Sequence, residues 1–306
     1  MIDSKAEVGE VLAPARDMVG YLAVLLAAAC WGSSGVFITF LVADSGISAL
    51  ALAFWRDFLT FLILFASLAI VRPAWLHVRR ADLGWLVGMG GSLGALHVVW
   101  NLGVLANGAA VATVQQAAAP AMVAIVAWLI WRESLGRSKV LAILLTFAGA
   151  VLVSGVGVLG QVNLSPEALL IGLGIPVLYS TWTLFGKKVR QDYNPVTTLT
   201  YAFAFAALVL LPLQFFTPQP WPVRASSLVW LVGLIAVPTL GGFSLYLFGL
   251  GRLPASVATI VAMSEIAFAT TYAHILLNER LAVGQVLGTI LVVSGVALLS
   301  LNGRRT

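Results

Sequence analysis

Charge is the scarcest thing in this sequence. Only 9% of its 306 residues are Asp, Glu, Lys or Arg, where soluble domains carry about a quarter. So little polar surface excludes a water-soluble fold for a chain that is 60% hydrophobic, with a mean hydropathy of +1.01. The class is a polytopic membrane protein. Cysteine is nearly missing as well. Cys30 stands alone in an apolar run, which excludes an intrachain disulfide framework and a Cys-based metal site. There is no Gly-x-x-x-x-Gly-Lys-Ser/Thr and no polar stretch long enough for a nucleotide-binding domain, so the energy for any transport must come from a gradient. No cofactor and no metal are expected. The net charge of +5 does not point to nucleic acid, because the basic residues lie in short loops. The expected partners are a lipid bilayer and a small-molecule substrate, with the chain a monomer or weak homo-oligomer and not an enzyme. Residues 1–18 lack the charged-apolar-small order of a cleaved signal peptide and read as a polar tail.

What the sequence has in abundance is apolar runs. A helix needs about 20 such residues to cross the bilayer core of roughly 30 Å. Ten stretches qualify: 19–42, 47–71, 82–103, 108–131, 139–157, 167–186, 195–216, 227–250, 255–277 and 281–301. Lys and Arg are distributed unevenly over the loops. With the N-terminus in the cytoplasm, fourteen of the 17 fall on the inner side. Arg224 and Arg280 fall outside, and Arg56 lies within a span. This asymmetry predicts an even number of spans with both termini cytoplasmic.

An internal duplication organises the chain. Adding 146 to Ala109, Val111, Ala112 and Thr113 gives Ala255, Val257, Ala258 and Thr259. The same offset carries Glu133 and Leu135 to Glu279 and Leu281, and Gly149 and Ser154 to Gly295 and Ser300. Each half has five spans, an odd number, so the halves must insert in opposite directions. That predicts an all-α membrane protein with ten transmembrane helices in a 5+5 inverted-topology repeat. The predicted parts are a cytoplasmic tail (1–18), a first repeat (19–157), an outer linker (158–166), a second repeat (167–301) and a short tail (302–306). Inverted repeats of this kind are typical of secondary transporters with a site near mid-membrane.

The joint pattern resembles the drug/metabolite transporter superfamily, and within it the EamA-type ten-helix exporters. The residues that carry the resemblance are the two Glu-x-Leu segments, Gly149 and Gly295, Trp31-Gly32-Ser33 in the first span and Arg56 in the second. It covers about residues 19 to 301. It implies export of amino acids, other metabolites or drugs from the cell membrane. It also implies a central cavity lined by spans 1, 3, 4, 6, 8 and 9. Family members often carry Glu-Pro in the ninth span; here the pair is Glu265-Ile266, without the proline that would break a helix. The fourth span keeps Pro120.

Polar residues inside spans are costly, so each needs a reason. Trp31 and Ser33 either form part of a packing notch or border a cavity. Arg56 and Asp57 are adjacent and point about 100° apart, so one or both must find partners on another helix. They read as a structural clamp or as an anion-binding or gating element. His97 and Asn101 share a helix face, and a histidine there can relay protons or simply satisfy a backbone carbonyl. Gln115 and Gln116 lie amid alanines, as cavity lining or as interhelix glue. Tyr179, Trp182 and Thr183 suit an aromatic ligand or plain packing. Ser244 and Tyr246 are weaker lining candidates. Ser264 and Glu265 fall at the midplane of span 9, and Glu265 has three readings: coupling proton, substrate amine, or a bond to Gln115, Gln116 or Arg56. Glu265 and His97 are the proton-coupling candidates. The whole reads as a gradient-driven, proton-linked exporter of small polar metabolites such as amino acids, aromatic ones among them. An uncoupled facilitator or pore would share the site. Gly32-Ser-Ser34-Gly35 also matches a rhomboid-type protease motif, which would need His97 or His274 as base.

Overall fold

In the computed structural model, ten helices among the described residues are long and apolar enough to cross a membrane. The structure describes residues 17–107, 109–155, 165–219, 224–277 and 280–302. The spans are 1 (Met18–Ser45), 2 (Ala49–Val71), 3 (Arg80–Gly103), 4 (Val111–Trp131), 5 (Arg137–Ser154), 6 (Pro166–Val189), 7 (Pro195–Phe216), 8 (Ala225–Arg252), 9 (Ala255–Leu277) and 10 (Val283–Ser300). No β-strand occurs among the described residues. The tails and the outer linker, with Glu279, lie outside the described residues. The surface is apolar: Leu170, Ile70 and Phe215 are 74%, 82% and 83% exposed. A soluble protein avoids such patches; a bilayer requires them. The protein is a multi-pass membrane protein.

Local sequence explains where the helices start and stop. Asp17, Ser48, Ser165 and Asn194 each accept a hydrogen bond from the third backbone amide beyond them, satisfying orphan donors of the first turn. Pro166 and Pro195 follow two of these caps, at the position where a missing N–H costs nothing. Gly46, with φ of 66°, ends span 1 in the left-handed conformation that glycine adopts freely.

The spans pair in a pattern that fits a two-fold relation between the halves. Span 5 packs on span 10, span 2 on span 7 and span 4 on span 9, while span 3 packs on span 6 and span 1 on span 8. The contact between spans 5 and 10 repeats under the offset of 146. Gly149 touches the backbone of Gly288, and Gly295 touches the backbone of Ala142; the second pair is the first with its partners exchanged. Small residues permit this approach. A β-carbon on Gly149 would come 2.7 Å from the Gly288 carbonyl oxygen.

Three spans are broken at mid-depth. Span 1 is interrupted at Ser33, whose hydroxyl and amide both bond the Cys30 carbonyl. Span 4 is interrupted at Ala117–Ala118, next to Pro120. Span 9 is interrupted at Met263–Ser264, where no proline stands. The break expected from the family's Glu-Pro pair is thus kept without it. Its chemistry is local: the Met263 and Ser264 amides turn back to the carbonyls of Ile260 and Val261, and the Ser264 hydroxyl takes a second bond to Val261. A serine hydroxyl competing for the backbone does what proline does by exclusion. Breaks 117–118 and 263–264 are 146 residues apart. In span 8 the helix widens to a π-type turn over Ile235–Gly242, around Pro238, a common response to a residue with no N–H to give.

Candidate functional site

The breaks in spans 4 and 9 bring two polar side chains together. Gln116 is the last residue of the first half of span 4, and Glu265 is the first residue of the second half of span 9. Gln116 Nε2 donates to Glu265 Oε1 at 2.8 Å. Span 1 passes directly beside them. A β-carbon on Gly32 would meet the Glu265 carbonyl oxygen at 3.0 Å and the Ala269 amide at 2.8 Å. Only glycine fits there, so the Trp31-Gly32-Ser33 stretch is both a packing notch and a neighbour of Glu265.

Aromatic rings fill the space next to this junction. Trp31 lies against Tyr246 and Phe243, with ring centroids 4.9 and 5.1 Å apart. Trp182 stacks on Tyr246 at 5.2 Å and meets Tyr179 edge-on at 5.6 Å. Each such pair contributes about 0.5–1.5 kcal/mol beyond its burial. The Thr183 and Tyr246 hydroxyls bond at 3.3 Å. The cluster joins spans 1, 6 and 8. Gly242 allows it, because a side chain there would collide with the Trp31 ring.

The same region holds unpaired polar atoms. Trp31 Nε1, Trp182 Nε1, the Tyr179 hydroxyl and Gln115 Oε1 are buried and have no hydrogen-bond partner among the described residues. Leaving such a group unpaired costs about 1–3 kcal/mol, and groups of this kind call for an explanation, an absent ligand among them. Gln115 is pressed against Gly172 of span 6, where no larger residue would leave it room.

Other predicted residues stand elsewhere. His97 Nδ1 lies 2.7 Å from Asp57 Oδ2, and Arg56 Nη2 lies 2.9 Å from His97 Nε2. Arg56 Nε also reaches its own neighbour, Asp57 Oδ1, at 3.2 Å, because the long guanidinium folds back across the angle between adjacent residues. The three form a clamp between spans 2 and 3, and Asp57 is wholly buried in it. Asn101 donates to the Ala49 carbonyl at 3.4 Å. Ser264 is spent on the helix break. Ser244 is two residues from Tyr246 and therefore lies toward the opposite face of span 8. Ser34 has no side-chain hydrogen bond among the described residues, and His97 is committed to Asp57 and Arg56.

Sequence reasoning missed two participants. Phe243 belongs to the aromatic cluster; its spacing of three from Tyr246 on one helix was the available signal. Glu133, at the end of span 4, caps span 9. Its Oε1 accepts from the Ala255 amide at 2.8 Å, and Oε2 accepts from the Ser256 amide at 3.3 Å and from the Ser256 hydroxyl. Lys139 Nζ sits 3.6 Å from Glu133 and donates to Ser256 at 2.9 Å. At the same end of the bundle, Lys187 donates to the Leu250 and Leu253 carbonyls at 2.8 and 2.6 Å, and Arg190 to the Leu247 carbonyl at 2.8 Å. These cations fasten span 6 to the end of span 8, where the helix carbonyls carry partial negative charge. Asp17 and Arg252 pair at 2.6 Å beside them. At this end of the bundle, where span 1 begins and span 10 ends, these bonds draw spans 1, 4, 6, 8 and 9 together.

The sequence pattern of the EamA-like transporter family matches two stretches, residues 18–155 and 167–301. The chain is similar to the uncharacterized inner membrane transporter YicL of Salmonella typhimurium, with 29% identity over 299 residues, covering 94% of this chain and 96% of that protein. It is also similar to the uncharacterized transporter YwfM of Bacillus subtilis, with 25% identity covering 93% and 94% of the two chains. A solved crystal structure shares the fold, with a TM-score of 0.78 over 94% of this chain and 98% of that one, at 19% identity.

Proposed function

This chain belongs to the EamA-like transporter family, and from that premise we propose that it is a gradient-driven secondary transporter exporting small zwitterionic metabolites, aromatic amino acids among them. The observation that carries this reading is the Gln116–Glu265 junction with its ring of unpaired groups. Glu265 and Gln115 Oε1 offer acceptors for an ammonium group. Trp31 Nε1, Trp182 Nε1 and the Tyr179 hydroxyl offer donors for a carboxylate. The faces of Trp31, Trp182 and Tyr246 offer a surface for a planar side chain. A zwitterion with an aromatic substituent satisfies all three.

The transport cycle we propose is alternating access between two halves inserted in opposite directions, with both termini in the cytoplasm. The end where span 1 begins and span 10 ends, drawn together by Glu133, Lys139, Lys187 and Arg190, is then the inner gate. The rings that now touch one another exchange those contacts for substrate when the gate opens. Glu265 carries the coupling proton, or releases Gln116 to bind the substrate amine. The Arg56–Asp57–His97 clamp holds spans 2 and 3 together while the core moves; it is a structural element in this reading.

A thermal-shift screen of the purified protein against amino acids tests the substrate assignment, since a ligand that binds the native state raises its apparent stability by mass action. Aromatic amino acids should raise the melting temperature, and Trp31→Ala and Gln116→Leu should abolish the shift. Stabilisation by solutes without an amine, undiminished in both variants, would refute it.

A further inference from the structure

A second hollow lies away from the Gln116–Glu265 junction. A groove of about 800 Å³ runs along the lipid-facing side of spans 3, 4 and 6, walled by Trp85, Ile125, Ile130, Val177, Leu184 and Phe185. Its residues face outward: Ile125, Ile130 and Val177 are 52%, 62% and 47% exposed. At the end of the bundle where span 3 begins and span 6 ends, the groove runs into a polar notch formed by Asp82, Lys188, Asp192 and Tyr193, and Trp85 and Lys188 line both. An apolar trough that opens at membrane-interface depth onto a charged notch has the shape of an amphiphile.

The notch carries charge of both signs. Lys188 gives one of its three N–H donors to Gln191 Oε1 at 3.1 Å, leaving two for an incoming anion. Asp82 is occupied, accepting from Arg79 and the Tyr193 hydroxyl, both at 2.6 Å. Asp192 gives only Oδ1 to Arg79, at 3.3 Å, and its Oδ2 has no partner among the described residues. The lining of the notch therefore offers the two remaining Lys188 N–H donors and the Asp192 Oδ2 acceptor, at the mouth of a groove sized for hydrocarbon. Trp85 and Trp131 mark the headgroup level.

We infer that this groove is a binding site for a phospholipid with an ethanolamine headgroup: the acyl chain lies between spans 4 and 6, the phosphate meets Lys188 and the primary ammonium donates to Asp192. A choline headgroup has no N–H to give Asp192, and a glycerol headgroup has no positive charge. Discrimination rests on one hydrogen bond to a charged group at a half-exposed site, a factor of about ten in affinity.

The test is lipid titration of the delipidated full-length protein, read by native mass spectrometry, with palmitoyl-oleoyl phosphatidylethanolamine, phosphatidylcholine and phosphatidylglycerol as probes. The ethanolamine lipid should bind about tenfold more tightly than the choline lipid. Asp192→Asn should remove that preference while leaving choline-lipid binding in place. Lys188→Gln and the groove-filling Thr181→Trp should weaken all three lipids. Equal binding of the three, a preference for phosphatidylglycerol, or an ethanolamine preference that survives Asp192→Asn would overturn the inference. So would dimers in lipid-free detergent that Thr181→Trp converts to monomers, since the groove would then belong to a second copy of the chain.

Discussion

Replacing Glu133 by alanine should unlatch the proposed inner gate. The side chain is largely buried, with 12% of its surface exposed, and so is its partner Lys139, with 13%. Glu133 is the acceptor for the first two amides of span 9, Ala255 and Ser256. Losing a helix-capping acceptor costs about 0.5–2 kcal/mol. Stranding a buried cation costs up to about 3–5 kcal/mol, but Lys139 keeps its bond to the Ser256 hydroxyl, and the cost falls toward the lower end. The net expectation is about 3 kcal/mol, a loss of roughly 6 °C or more in the melting temperature in detergent. Glu133→Gln keeps one acceptor oxygen while losing the charge and the second acceptor, so it should cost less than the alanine variant, about half as much. A double-mutant cycle with Ser256→Ala should give a coupling energy of about 0.5–3 kcal/mol. A melting temperature for Glu133→Ala equal to that of the parent, with no coupling to Ser256, would refute the latch.

Other perturbations have definite outcomes. Gly149→Val places a branched side chain against the Gly288 backbone and should destabilise the span 5–span 10 contact by about 1–3 kcal/mol, which a fall in melting temperature measures; Gly35→Val, with open space around it, should not. Trp182→Ala empties a site that is 2% exposed and should cost about 3–5 kcal/mol, whereas Trp182→Phe should retain most of the stability and still lose the stabilising effect of an aromatic amino acid. Asp17, just outside span 1, is held below the usual carboxylate range by the Gly20 amide that it caps, with help from Arg252 and against its partial burial. A depressed folded-state pKa stabilises the protein above the unfolded value of about 3.9 and is lost as pH falls through the lower folded value. Asp17→Asn should therefore lower the melting temperature at pH 6 and leave it nearly unchanged near pH 3; an equal loss at both would contradict the cap.

The ten spans were legible because each is a long apolar run between short polar breaks, and hydropathy alone reports that. The duplication was legible because Glu-x-Leu and glycine recur at one offset. The break in span 9 was not. Proline is the readable helix breaker, and a serine that turns back on Val261 looks like any other serine in the sequence. The clamp was half legible. Arg56 and Asp57 announced a need for partners, but the partner is His97, 40 residues away on the next span, and periodicity says only that His97 shares a helix face with Asn101. Glu133 was legible only as part of a repeated Glu-x-Leu; that it caps a different helix 122 residues on depends on tertiary packing that no local pattern encodes. Among the site candidates, Trp31, Gln116, Tyr179, Trp182, Tyr246 and Glu265 come together around one junction, while His97, Asn101 and Ser244 stand apart from it.

The central claim, that proton coupling runs through the carboxyl at the meeting point of the two broken helices, is tested most directly by amino-acid flux in proteoliposomes carrying Glu265→Gln. The amide keeps the bond to Gln116 and cannot take up or release a proton. The account predicts that counterflow exchange of substrate persists while accumulation driven by a pH gradient disappears. Undiminished uphill accumulation in that variant would contradict it.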